Sequence, residues 1–218
     1  MSDLGKFIGG FNIEEFRSRI ATRGIQKNNK FLVTFNAPLT VKNFSQSFDA
    51  NNIDRQLRFW TDSASIPGVM LATRQLLRYG YGAMEKKPVS PVFNDISFSI
   101  MNDGTTLNLI FFQEWIQYIV QYNASKSMGD TNDGNGVWEI EYKNNYMTDM
   151  NVMMFNDSGK QILNIVLREA YPIHVADIPL NWADNSNVQR VPVTFTFMDW
   201  YNLDLSDTGQ VPIETPLK

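Results

Sequence analysis

Few side chains in this sequence are suited to chemistry. His174 is the one histidine of the chain. A lone imidazole builds no histidine-rich metal site, and as a general base it needs an orienting partner and a nucleophile. Two residues after Pro172, in a strand connection, it reads as a structural histidine. Glu139 and Glu141 form a carboxylate pair. Glycoside hydrolysis uses two carboxyls that flank the scissile bond from opposite sides; neighbours on one strand face flank nothing, so this pair reads as the wet side of a strand. The loop at 130–136 approaches a calcium loop, but a register starting at Asp130 puts Gly134 and Asn135 where an acid or amide and then a glycine are needed. Gly80 and Gly82 supply half of a dinucleotide fingerprint with no helix after them. The sequence holds no phosphate-binding lysine loop and no nucleophile elbow. The expectation is a protein without catalytic residues, cofactor or metal, working by shape and assembly.

Composition narrows the class further. The chain has no cysteine, which excludes disulfides and thiolate chemistry. Its formal net charge is −4, whereas a sequence-independent DNA binder carries a basic excess to neutralise phosphates; any DNA it meets is not gripped tightly. With 43% hydrophobic residues among 218, it can bury a sizeable core. Only 19% of residues are charged, and a lightly charged polar surface suits permanent contacts because fewer charges must be desolvated. No run of apolar residues is long enough for a membrane-spanning helix, and Asp3, Glu14 and Glu15 interrupt any signal-peptide pattern.

The elements that must position these residues read mainly as strands. Residues 1–27 form an arm in which Asn12, with Glu15 three residues on, caps a short helix carrying Ile13, Phe16 and Ile20 at helical spacing. Arg17, Arg19 and Arg23 read as its solvated side. Strands are expected at 30–36, with Phe31, Val33 and Phe35 on one face, at 69–79 after the Pro67-Gly68 turn, and at 94–101, where Ile96, Phe98 and Ile100 alternate with Asp95, Ser97 and Ser99. Residues 37–58 read as irregular and 80–91 as a loop. The strongest helix spans 106–122, with apolar positions 107, 111, 115 and 119. After a loop at 123–136, residues 137–142 alternate as a strand with Trp138, Ile140 and Tyr142 opposite Glu139 and Glu141. A hairpin turns at Asn156-Asp157-Ser158-Gly159; strands at 177–182 and 190–200 follow, and the chain ends in a loop-like tail from 203. The fold class is mainly β with some helix, one domain at 28–202, its strands antiparallel.

Taken in order, several segments resemble the tail tube family of T4-like contractile-tailed bacteriophages. They are Asn28-Asn29-Lys30-Phe31, Ile66-Pro67-Gly68, Ile100-Met101-Asn102-Asp103, Phe112-Gln113-Glu114-Trp115 and Tyr171-Pro172. The most specific follow: Leu180-Asn181-Trp182-Ala183-Asp184-Asn185, then Val188-Gln189, and Val193-Thr194-Phe195-Thr196-Phe197 closing on Asp199-Trp200. The resemblance implies an antiparallel β-barrel or sandwich with a flanking helix, hexameric rings of the chain itself stacked into a tube, sheath and baseplate partners, and a lumen that passes phage DNA. It also implies a place in the virion, assembled in the host cytoplasm. The same fold serves a baseplate tube initiator and the tube of type VI secretion systems, and both stay open as alternatives. The extension at 1–27 and a larger loop near 36–60 depart from a plain tube subunit. Asp95, Ser97, Ser99, Glu139 and Glu141 are candidates for the lumen wall, which is expected to be net acidic.

Overall fold

The computed structural model describes residues 13–44, 53–77, 80, 82–122, 138–183 and 186–203. In chain order these form α1 (Ile13–Arg23), β1 (Phe31–Thr34), α2 (Leu39–Phe44), α3 (Ile53–Trp60), β2 (Thr61–Ala64), β3 (Val69–Leu76), β4 (Glu85–Phe93), β5 (Ile96–Met101), α4 (Leu107–Ile119), α5 (Lys143–Tyr146), β6 (Thr148–Phe155), β7 (Gln161–Val175), β8 (Arg190–Thr196) and β9 (Asp199–Asn202). Asn12, the loop at 130–136 and the tail from 204 lie outside the described residues.

The strands pair antiparallel in the order β1-β6-β7-β8-β5-β2, with β9 also on β7. This is the expected mainly-β class with a flanking helix. The end strands β1 and β2 approach each other, but no ladder joins them among the described residues, so the sheet curls without closing into a barrel. β7 makes the curl. Its first part lies between β6 and β9, and its last residues pair with β8. Between these parts the β6 register shifts opposite Glu169, a non-glycine residue at φ 53. The Glu169 amide donates to the Asp149 carboxylate at 3.0 Å, the Met198 amide donates to the Arg168 carbonyl at 3.0 Å, and Lys143 pairs with the Glu169 carboxylate. A second register shift follows between Pro172 and His174. Bulges bend a strand in this way.

Alternation decides the sheet's faces. In β5, Ile96, Phe98 and Ile100 are buried while Ser97 is exposed and Ser99 half-buried, and in β8 Val191, Val193 and Phe195 are buried. α4 covers this inner face through Phe111, Phe112, Trp115 and Tyr118. At the centre Phe195 meets Phe98 at 5.6 Å, Phe35 at 5.9 Å, and Phe112 and Trp115 at 6.0 Å. Edge-to-face geometry adds to the burial of such rings. The Trp115 indole donates to the Tyr146 carbonyl at 3.0 Å, so α5 is fixed to α4 by a buried bond.

Five segments differ from the sequence reading, the first being the strand expected at 190–200, which breaks at Phe197-Met198 into β8 and β9. Residues 37–58 are not irregular throughout: α2 and α3 flank residues 45–52, and Val41, Ile53 and Leu57 enter the core. Lys42 pairs with Asp54, whose carboxylate also accepts the Ala37 amide at 3.1 Å, tying α2 to the start of α3. Residues 85–93 are a strand, not a loop; β3 and β4 make a separate two-stranded hairpin. Among 138–142 only one bridge forms, Val120 with Ile140, because the left-handed backbone at Trp138 (φ 51) breaks the pleat. Residues 177–182 pair with no strand; Pro179 lacks the amide a ladder needs.

The turn before α4 carries its own electrostatics. The Asp103 carboxylate accepts the Leu107 amide at 3.1 Å, the Thr105 hydroxyl at 2.7 Å and the Gln56 amide at 3.2 Å. Burial pushes this carboxyl up, but the bonds from Thr105, Leu107 and Gln56 outweigh it and hold the group below its ordinary value. A depressed carboxyl stabilises the fold above the unfolded-state pKa, and that contribution is lost as pH falls through the folded value. Asp103→Ala is therefore expected to cost about 1 kcal/mol at neutral pH, the gap closing as pH falls below about 4; urea unfolding across that range measures it. Phe195→Ala, which empties the centre of the aromatic cluster, is expected to cost about 3–5 kcal/mol in the same assay.

Candidate assembly surfaces

The sheet's outer face is polar. Ser97 and Thr194 share a hydroxyl–hydroxyl bond at 3.1 Å, Ser99 lies between Ser63 and Pro192, and His174 pairs with Thr194 on the next strand. Arg190 of β8 pairs with Asp62 of β2 at the margin. Asp95 is exposed immediately before β5. Hydroxyls dominate because strand alternation sends every apolar residue of β5 except Met101 to the core. His174 is exposed at the bulge, on the same outer face as Thr194, and not in the core.

Glu139 and Glu141 are not part of that face. They sit on the run that returns along the end of α4, where the Gln121 amide donates to the Glu139 carbonyl at 3.2 Å and the Glu141 amide to the Ile119 carbonyl at 3.0 Å. The Glu141 carboxylate accepts the Tyr142 amide and the Asn145 side-chain amide, both at 2.9 Å, and so holds the entry to α5. Of the five candidate wall residues, the fold brings together Asp95, Ser97 and Ser99 and sets the two glutamates elsewhere. Among the described residues, no group of three or more His, Asp or Glu side chains is placed to hold a metal ion.

The surface that sequence reading missed is the β3–β4 hairpin. Its base is anchored by Phe93, which packs on Phe197, but Val69, Met70, Leu71 and Val89 are all more than half exposed. Its register shifts between Ala72 and Thr73, and further along Arg74 stands directly opposite Lys87. Like charges in such a pair are unfavourable. β4 also carries Pro88 and Pro91. These prolines disguised β4 as a loop, although proline inside an apolar run is itself a signal of an edge strand. A two-stranded hairpin is marginal in water without packing, so these faces are built to be covered.

A family model described as phage tail tube protein matches residues 26–203. No curated protein matches the chain. Solved structures share the fold, among them the following three. A chain of the anti-feeding prophage baseplate, 6-fold symmetrised, superposes with a TM-score of 0.55 at 12% identity, over 82% of this chain and 95% of that one. A chain of the sheath–tube complex of the extracellular contractile injection system PVC, in its extended state, gives 0.52 at 14% identity, over 86% and 97%. A chain of the anti-feeding prophage tube-terminating cap gives 0.52 at 14% identity, over 82% and 92%. The range matched by the family model runs from before β1 to the end of β9 and leaves out α1. By that match the chain belongs to the phage tail tube protein family, and it is a structural tail component rather than an enzyme.

Proposed function

We propose that the chain is the repeating subunit of the tube of a contractile phage tail, forming rings of six that stack inside a sheath and pass DNA during ejection. The observation that carries this reading is the β3–β4 hairpin, which pairs with no other strand among the described residues and exposes Val69, Met70, Leu71 and Val89. A head-to-tail ring covers such surfaces by repeating one contact until it closes. Structures sharing the fold come from a sheath–tube complex, a baseplate and a cap, which supports sheath and baseplate proteins as partners and a location in the virion tail. The baseplate chain among them favours, as the second reading, a tube initiator present as a single ring; a type VI-like tube has the same fold.

The outer face of β5 and β8, with Asp95, Ser97 and Ser99, is the proposed lumen wall. Hydroxyls offer phosphates weak, exchangeable contacts, and the net charge of −4 adds no general attraction. Such a wall lets DNA slide.

Electron microscopy of the purified protein at rising concentration tests the reading: six-fold rings or hollow tubes are expected, and a persistent monomer overturns the shaft role. Leu71→Asp, at an exposed hairpin position, is expected to abolish tubes while leaving the unfolding free energy of the free subunit within about 0.5 kcal/mol of the parent. In assembled tubes, the thiol of Ser97→Cys is expected to react with a small maleimide from solution but to be shielded from a protein-sized one; equal reaction with both places this face outside.

A further inference from the structure

The β3–β4 hairpin is an arm joined to one end of the β2–β5 ladder. Two residues, Asn94 and Asp95, connect β4 to β5, and the Phe93 ring packs on Phe197 at 6.1 Å, which pins the base. The eight residues of β3 give the arm a length of about 23 Å. Its charge is set apart from the rest of the chain. Residues 69–93 hold Arg74, Arg78, Lys86 and Lys87 against Glu85 alone, a basic excess in a chain of net charge −4. Arg74 and Lys87 are exposed and directly opposite each other, so the fold holds like charges together where they repel. Met70 shares their face by strand alternation and is 55% exposed.

A surface of opposite character lies at the other end of the same strands. The loop at 176–189 begins where the Ala176 amide donates to the Pro192 carbonyl and ends where the Asn102 amide donates to the Gln189 carbonyl, both at 2.9 Å. Asn102 follows the last residue of β5, whereas the arm joins its first, about 20 Å away. The loop holds Asp177 and Asp184 and no basic residue. Leu180 is 85% exposed and Trp182 fully exposed. The Asn181 side-chain oxygen accepts the Ala183 amide at 3.0 Å, a tight turn that fixes the backbone on both sides of Trp182.

Arm and loop complement each other. An indole face attracts an arginine or lysine cation, carboxylates offset a basic excess, and Met70 matches Leu180 in apolar character. Within one subunit the two do not meet. Trp182 is fully exposed, and an arm pinned at the far end of β5 would have to double back along the sheet, yet Ser97 and His174 on the outer face are exposed and α4 fills the inner face. We propose that the β3–β4 arm of one copy takes the Leu180–Trp182 loop of a second copy, with Trp182 seated against Arg74 and Lys87, and Leu180 against Met70. One chain carries both halves at opposite ends of the same strands, so the contact is head-to-tail and repeats from copy to copy. The proposal rests on the tube-subunit reading in taking the chain to self-assemble; the charge asymmetry selects which surfaces meet.

The absence of native cysteine gives a clean test. Ser90, which pairs with Ala72 on the face of Met70 and Arg74, and Ala183 are both exposed, so cysteines there leave every proposed contact in place. Ser90→Cys protein is mixed with Ala183→Cys protein, concentrated and oxidised, with each variant oxidised alone as the background. The expected result is a disulfide-linked dimer at least tenfold above background, a covalent ladder from the chain carrying both substitutions, and a tenfold fall in linkage when Trp182→Ala is added. A doubly substituted chain that closes on itself as a looped monomer assigns the loop to its own arm and overturns the proposal. A link that Trp182→Ala leaves unchanged overturns the seating of Trp182. The same samples are imaged: rings or tubes with no link overturn the docking and leave the tube reading standing. A link without rings or tubes supports the docking and counts against the tube reading, and absence of both overturns both.

Discussion

Everything in this fold depends on β7 being one strand in two ladders. Its 15 residues begin between β6 and β9 and finish on β8. A straight strand would keep all its partners in one flat sheet, which would leave α4 with one side to pack on. The bend at Glu169 folds the sheet around α4, and nearly every position of that helix is buried or half-buried as a result. The left-handed backbone at Glu169 carries a cost of order 1 kcal/mol. It persists because Asp149, Arg168, Lys143 and Met198 each hold part of the corner. The aromatic cluster around Phe195 then fills the concavity that the bend creates.

The interior of this subunit is therefore densely filled with aromatic and aliphatic side chains, while its surface keeps large apolar side chains exposed. Core aromatics pair ring to ring, the turn at Asp103 satisfies its own carboxylate, and Trp115 finds a carbonyl. On the outside, the hairpin exposes methionine, leucine and valine, and Trp182 is fully exposed. Each chain completes its own core, and a set of large apolar side chains stays exposed on its surface.

How much of this was legible depended on whether a signal was local. Clean alternation in β5 and the wide stripe of α4 announced their elements because each residue's burial follows from its own segment. The hairpin turn at 156–159 was legible for the same reason. α3 was hidden because it follows an Asn- and Ser-rich stretch that reads as loop, although Ile53, Leu57 and Trp60, which all pack on the core, fall at helical spacing. β4 was hidden because Phe93 at its end is its one side chain packed against the described core, so no hydrophobic pattern is imposed on the rest. The opposite error occurred at 137–142: the alternation of Trp138, Ile140 and Tyr142 is real, but it faces solvent, and periodicity alone does not distinguish a core from an exposed apolar run. For the same reason Glu139 and Glu141 were grouped with Ser97 and Ser99, which only long-range topology separates. The family resemblance succeeded where local patterns failed, because order along the chain survives when single segments are ambiguous.

Pro88 and Pro91 have a consequence for how the free subunit behaves before it meets its neighbours. Within a hairpin, proline is tolerated where its missing donor would point away from the partner strand. The open edge of β4 is therefore two donors short, and a stray strand arriving there cannot complete a ladder. The edge of β3 carries no proline. The hairpin is thus a one-sided template, which gives strand addition a polarity and discourages the sheet-by-sheet growth that turns exposed hairpins into fibres. For a subunit whose hairpin exposes apolar side chains, this asymmetry is a kinetic safeguard against edge-to-edge self-association.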